Sequence, residues 1–127
     1  MAVNRSGKQN YTQKTLKFLR DLGCDVDKAE KFNAFAGPFG QREDLFGFID
    51  IIALDDQRGI IAIQSTGPSG HAEHRKKILD CKFARKWLEC GGIIELWSWR
   101  KLLVNRGGSA RRWQPRIEQI TEKDFSK

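Results

Sequence analysis

Between Asn10 and Leu22, the apolar residues Tyr11, Leu16, Phe18, Leu19 and Leu22 recur among polar ones at spacings that predict an amphipathic helix, stopped by Gly23. From Cys24 to Phe35 the pattern is weaker, with Val26, Phe32 and Phe35 set among charged residues, and it predicts an edge-like strand. Gly37-Pro38-Phe39-Gly40 breaks that strand, and Gln41 to Asp44 reads as a loop leading into Leu45-Phe46-Gly47-Phe48. Phe48–Leu54 and Gly59–Ser65 then read as two Ile-rich strands around a short polar turn. Both faces of this hairpin are apolar, which predicts central strands covered on two sides. Helical spacing returns from His71 to Cys90 through Ile78, Leu79, Phe83, Trp87 and Leu88, closed by Gly91-Gly92. Ile93–Trp99 and Arg111–Ile120 are two further strands joined by a turn near Asn105–Gly108, and Thr121–Asp124 can start a last helical turn. The order is helix, strand, two-stranded hairpin, helix, strand, strand: an α/β fold with a single mixed β-sheet and flanking helices. No internal repeat or low-complexity segment interrupts it.

The central hairpin carries polar residues at its open end. A turn symmetric about Gln57 sets Leu54 opposite Ile60, Ile52 opposite Ala62 and Asp50 opposite Gln64. Opposed residues of an antiparallel pair have Cβ atoms about 4.5–5.5 Å apart, and the two-residue alternation puts Thr66 on the face of Gln64. A carboxylate and an amide oxygen at that separation can share a hard divalent cation or hydrogen-bond each other. A slip of one residue in register would part them.

With 127 residues, 39% of them hydrophobic and 31% charged, the chain suits one globular domain, residues 1–127, and needs no disulfide or metal to hold it. No apolar run reaches the roughly 20 residues that span a bilayer, and the opening segment MAVNRSGKQNYTQKT has no apolar export core. The expected setting is therefore cytoplasmic, with no membrane partner. Cys24, Cys81 and Cys90 are odd in number and widely spaced, which predicts reduced thiols.

Charge changes the picture further. Residues 1–66 balance nine Lys and Arg against nine Asp and Glu, whereas residues 67–127 hold fourteen against seven, so the whole net charge of +7 lies in the second half. Such a half suits contact with phosphates, where neutralisation releases counterions. Arg75, Lys76, Arg100, Lys101, Arg111, Arg112 and Trp113 are the candidate nucleic-acid contacts, because aromatic rings among cations can stack unpaired bases. Trp87, and one of Trp97 and Trp99, are assigned to the core instead. The basic hairpin spans about residues 101–120. His71 and His74, three apart on a helix, could share a metal, but no third partner follows at a matching spacing. Gly67-Pro68-Ser69-Gly70 matches no nucleotide-binding fingerprint and reads as a strand-to-helix connection.

Ile49-Asp50-Ile51-Ile52-Ala53-Leu54 followed by Ile61-Ala62-Ile63-Gln64-Ser65-Thr66 resembles the core of the PD-(D/E)XK nuclease superfamily, over roughly residues 10–100. The nearest likeness is to small, Holliday-junction-resolvase-like and phage-encoded members. The resemblance implies a restriction-endonuclease-like core (order α-β-β-β-α-β, plus a C-terminal strand) and Mg²⁺- or Mn²⁺-dependent hydrolysis of DNA phosphodiesters. It also implies a homodimer, since resolvase-like members pair. By the same likeness Asp50 matches the metal-binding Asp, Gln64 falls at the acidic position, Ser65 offers a backbone carbonyl to the metal, and Thr66 stands where the family has its Lys. A threonine hydroxyl supplies no positive charge. Two readings follow: the missing groups come from elsewhere, with Asp44 or Glu30 as the added acid and His71 or Arg75 in place of the lysine, or catalysis is lost and a DNA-binding or regulatory module remains. A structural virion or interaction protein is a third reading, disfavoured by the basic second half.

Overall fold

A computed structural model describes residues 10–125; the segment 1–9, which carries most of the stretch read above as lacking an export core, lies outside the described residues. The chain runs α1 (Tyr11–Asp21), β1 (Asp25–Lys28), β2 (Lys31–Asn33), β3 (Gln41–Glu43), β4 (Ile51–Asp55), β5 (Gly59–Thr66), α2 (His71–Asp80), α3 (Lys82–Glu89), β6 (Ile93–Leu103) and β7 (Arg111–Ile120), then a 3₁₀ turn at Glu122–Phe125. Five strands form one mixed sheet in the order β1-β4-β5-β6-β7, and β2 pairs with β3 in a small separate ribbon. Only β5 and β6 run parallel, and α2–α3 make the crossover that parallel strands require. No helix among the described residues is long and apolar enough to cross a membrane.

The alternation along β4 and β5 sorts side chains into two layers. Ile51, Ala53, Ile61 and Ile63 meet Leu16 and Leu19 of α1, together with Trp97 and Trp99. Ile49, Ala62, Ile94 and Leu96 meet Ile78 of α2 and Ala84 of α3 on the opposite face. Helix α1 starts where the Asn10 side chain accepts the Gln13 N–H at 3.0 Å, and it ends before Gly23, whose φ of +92° a side chain would resist.

Several expectations need correction. The single strand expected over 24–35 divides: β1 lies on the main sheet, the Ala29 N–H binds the Asp50 carbonyl at 2.8 Å, and the chain then leaves to form β2 with β3, in place of the loop expected at Gln41–Asp44. The helix expected over 71–90 breaks at Cys81, whose extended backbone (ψ 118°) separates α2 from α3 and whose thiol donates to the Phe46 carbonyl at 3.2 Å. The hairpin is covered on both faces only toward its open end; Leu54 and Ile60, beside the turn, are 51% and 42% exposed. Trp97 and Trp99 are both buried, because odd-numbered positions of β6 face α1.

The register of β4 on β5 is the symmetric one: Leu54 pairs with Ile60, Ile52 with Ala62 and Ile51 with Ile63. Beyond Ser98, its last partner on β5 being Thr66, β6 continues to Leu103 with β7 alone as its neighbour. The two strands therefore project past the sheet by roughly 17 Å, at about 3.4 Å per residue. Antiparallel β4 begins, and parallel β5 and β6 end, at the same edge, so this arm leaves the sheet from the edge that carries Asp50 and Gln64.

Candidate metal centre

Asp50 sits one residue before β4 and is almost buried, which a lone carboxylate does not tolerate without donors. Its Oδ2 accepts the Ser65 backbone N–H at 2.9 Å and Gln64 Nε2 at 2.7 Å. Gln64 Nε2 also reaches Asp44 Oδ2 at 3.2 Å, so one amide group spans two carboxylates.

Asp44 arrives through a tight turn. Leu45 pairs with Ile49 in an isolated antiparallel bridge, and residues 44 and 50 are the next pair outward. Phe46 at φ +55° and Gly47 at φ +82° fold the chain back between them. Glu30, at the break between β1 and β2, completes a trio: one carboxylate oxygen each from Glu30, Asp44 and Asp50 lie within 4.8 Å of one another. Of the two residues proposed as the added acid, both are present.

Two cations enter this cluster. Lys77 of α2 places Nζ 2.8 Å from Asp44 Oδ2, and Arg42 of β3 lies 3.7 Å from Glu30 Oε1. Sequence reasoning singled out neither. Lys77 lies six residues into α2, and only the packing of α2 over the sheet turns it toward a loop 33 positions earlier.

The charges polarise the acids in opposite directions. Burial first, then hydrogen bonding with Asp44 and its negative charge, push the Asp50 carboxyl up to about 8, against the Ser65 N–H and Gln64 that favour its ionised form. Burial also raises Asp44, but hydrogen bonds with Asp50, Lys77 and Gln64, and the charge of Lys77, outweigh it and hold Asp44 below the usual carboxylate range. The two carboxyls are thus pushed apart, Asp50 toward its protonated form and Asp44 toward its ionised form.

A divalent cation fits these donors. Three carboxylate oxygens and a carboxamide are the hard ligands that Mg²⁺ and Mn²⁺ take. Gln64 Oε1 is buried without a partner, which costs about 1–3 kcal/mol. Exchanging the two ends of the amide would aim that oxygen at the carboxylates, an arrangement that a cation between them, or a proton on Asp50, makes favourable.

The remaining sequence candidates divide: Ser65 and Thr66 sit beside the cluster at the end of β5, whereas His71, His74 and Arg75 are engaged by other partners. Thr66 is buried on the face of Gln64, but a Cβ on Gly70 would fall 2.1 Å from its Oγ1, so α2 starts hard against it and leaves no space for a lysine. His71 and Arg75 do not replace that lysine. His71 Nδ1 meets Ser98 Oγ and Nε2 lies 2.7 Å from Glu118 Oε1, while Arg75 binds Glu118 and Asp124, each at 2.8 Å. These bonds tie α2 to β6, β7 and the 3₁₀ turn; burial raises the Glu118 carboxyl, but its bonds with Arg75 and His71 hold it low. His74 turns its Nδ1 to the Gly70 carbonyl at 2.9 Å. Ser65 gives its N–H to Asp50 and its hydroxyl to Thr15 at 3.0 Å, which fixes the end of β5 from the α1 side.

Of the basic candidates, Arg100, Lys101, Arg111 and Arg112 are exposed on the projecting arm. Trp113 is half-buried there, edge-on to Tyr11 at 5.8 Å with Lys14 and Lys101 over its ring at 5.0 and 5.5 Å. Lys76 points away, paired with Asp80 at 3.2 Å. Comparison with protein-family models, curated proteins and solved structures finds no match to this chain.

Proposed function

We propose that the chain is a divalent-metal-dependent nuclease that hydrolyses phosphodiester bonds of DNA, of the PD-(D/E)XK type. The observation that carries this reading is the convergence of Glu30, Asp44, Asp50 and Gln64 around one point, with Lys77 at their edge. Mg²⁺ or Mn²⁺ bound by those groups would supply Lewis-acid charge and lower the pKa of a bound water. The chain's residues prepare the rest. Asp50 and Asp44 hold the ligand oxygens fixed through Ser65 and Lys77, and Lys77 is the group that can carry positive charge to a scissile phosphate, in place of Thr66.

The basic arm supports DNA as the substrate. Strands lie about 4.8 Å apart, so β7 is roughly 14 Å from β4, about four nucleotides along a strand at 3.4 Å each. Arg100, two residues past the end of β5, lies within about that span of the acid cluster, and Arg111 and Arg112 lie further out along the arm, where a longer strand would reach them.

A second reading, a catalytically silent DNA-binding or regulatory module on the same scaffold, is favoured by one detail: the Gln64 amide already satisfies both carboxylates without a cation. The two readings separate on incubation of plasmid, single-stranded and branched DNA with Mg²⁺ or Mn²⁺, with Asp50→Ala in parallel. Cleavage that needs both metal and Asp50 supports the nuclease. Binding without cleavage, equal in parent and variant, replaces it with the silent module.

A further inference from the structure

Beside the acid cluster opens a cleft of about 630 Å³ whose walls include Lys31, Arg42, Asp44, Lys77, Phe46 and Phe83. Three cations and two aromatic rings are an unusual lining for a site that needs only to hold a metal.

Phe46 is the informative residue. The turn that sets Asp44 opposite Asp50 requires a positive φ at position 46, which glycine supplies without strain and a bulky side chain resists. The phenyl ring gives little back to the core: the residue is 50% exposed, and its ring leans on Phe83, itself 43% exposed, at 5.4 Å. A strained backbone that holds an exposed ring at the rim of a polar site is an observation that points toward ligand contact. Lys82 stands 5.1 Å over the Phe83 ring, and Lys31 makes no ion pair among the described residues.

We propose that this cleft holds an unpaired nucleotide of the DNA strand, its base stacked on the Phe46–Phe83 pair and its phosphates against Lys31, Arg42 and Lys77. The preferred substrate is then single-stranded or frayed DNA rather than an intact duplex, because a paired base cannot leave its stack to reach the rings without opening. The assignment rests on the DNA-cleaving reading for its substrate class; it shares Lys77 with that reading, and Phe46, Phe83 and Lys31 are its own. Trp113, the aromatic first considered for this task, already packs against Tyr11 beneath two lysines, whereas Phe46 and Phe83, with Lys82 alone over the Phe83 ring, line the open cleft.

The test is binding in excess chelator, where no cleavage intervenes, of a single-stranded oligonucleotide carrying one 2-aminopurine and of the same sequence as a duplex. The parent is expected to bind the single strand more tightly and to change the fluorescence of the stacked base. Phe46→Asn, which keeps a residue tolerant of positive φ but removes the ring, and Phe83→Ala should each weaken single-strand binding by about five-fold or more, with duplex binding unchanged. Circular dichroism establishes that both variants fold, and Phe46→Gly repeats the test with the least backbone strain. Equal affinity for the two forms, or single-strand affinity unaffected by loss of either ring, overturns the proposal. Metal-dependent cleavage that survives such a result leaves the nuclease reading standing; ring-dependent binding without any cleavage removes the nuclease reading and leaves this site.

Discussion

The ammonium of Lys77 lies 2.8 Å from Asp44 Oδ2, so positive charge reaches the acid cluster from α2 and not from the end of β5. If Lys77 stabilises charge on the scissile phosphate, Lys77→Met should lower the single-turnover cleavage rate by about 10²–10³-fold, with DNA affinity changed only a few-fold. Lys77→Arg should recover part of the rate. Since Lys77 is about half exposed, the loss of stability should stay under about 1 kcal/mol. A variant that cleaves like the parent assigns the ion pair a purely local role.

Asp50 gives the fold a pH dependence opposite to that of an ordinary paired carboxylate. Its folded carboxyl is raised to about 8, above the value near 4 of an unfolded chain, so the folded state holds the proton more tightly. The contribution to stability is full below about pH 4 and is lost as pH rises toward 8. Urea midpoints of the metal-free parent should fall across that window relative to Asp50→Asn, which cannot ionise. Added Mg²⁺ competes with the proton, so its stabilisation of the parent should be larger at pH 8 than at pH 6 and absent in the variant. A parent whose midpoint tracks that of Asp50→Asn at every pH would show that folding leaves the Asp50 pKa unchanged.

The elements legible in the sequence are those whose signal is local and periodic. The two-residue alternation of β4 and β5 and the compact Asp55–Gly59 turn set the register that places Asp50 beside Gln64. The Ser65 N–H follows from the same register. What was not legible depends on chain reversal over longer distances. Nothing in the spacing of Glu30, Asp44 and Lys77 announces their meeting; it follows from β2–β3 leaving the sheet, from a turn with Phe46 in a conformation that sequence patterns assign to glycine, and from α2 ending at Cys81. His71 and Arg75 misled because their position at the start of α2 was right, while Glu118 and Ser98, on strands read only as strands, were there to bind them.

Gln64→Glu separates metal affinity from metal-free stability. The change removes the N–H donors that now join Asp44 and Asp50 and adds a fourth carboxylate to the cluster of Glu30, Asp44 and Asp50, so the metal-free protein should lose about 1–3 kcal/mol. The same charge should strengthen cation binding, and the rise in melting temperature on adding Mg²⁺ should exceed that of the parent. A smaller rise would mean that Gln64 does not face the bound ion.

Thr66→Lys should not rescue the familiar arrangement. Position 66 is closed by Gly70, so a longer side chain has to displace the first turn of α2, at a cost of about 1–3 kcal/mol. The expected result is a lower unfolding midpoint with no gain in cleavage. A faster enzyme of unchanged stability would show instead that β5 can carry the lysine and that Lys77 is dispensable.

Arg111 and Arg112 test the arm without touching the acid cluster. They project on opposite faces of β7 beyond the last residue of β5, and neither forms an ion pair among the described residues, so their replacement by Ala should leave folding within about 0.5 kcal/mol of the parent. If both contact phosphates, the plot of log affinity against log salt concentration loses about 0.7 of slope per contact on a single strand and about 0.9 on a duplex, so the double variant should be flatter by about 1.4 to 1.8. If the arm only positions the strand, single-turnover cleavage at saturating DNA should be unchanged, since the arm carries none of the acid-cluster groups. A slope equal to the parent's would place the DNA elsewhere, whereas a slower saturated rate at unchanged slope would mean that the arm acts on the geometry of the cluster itself.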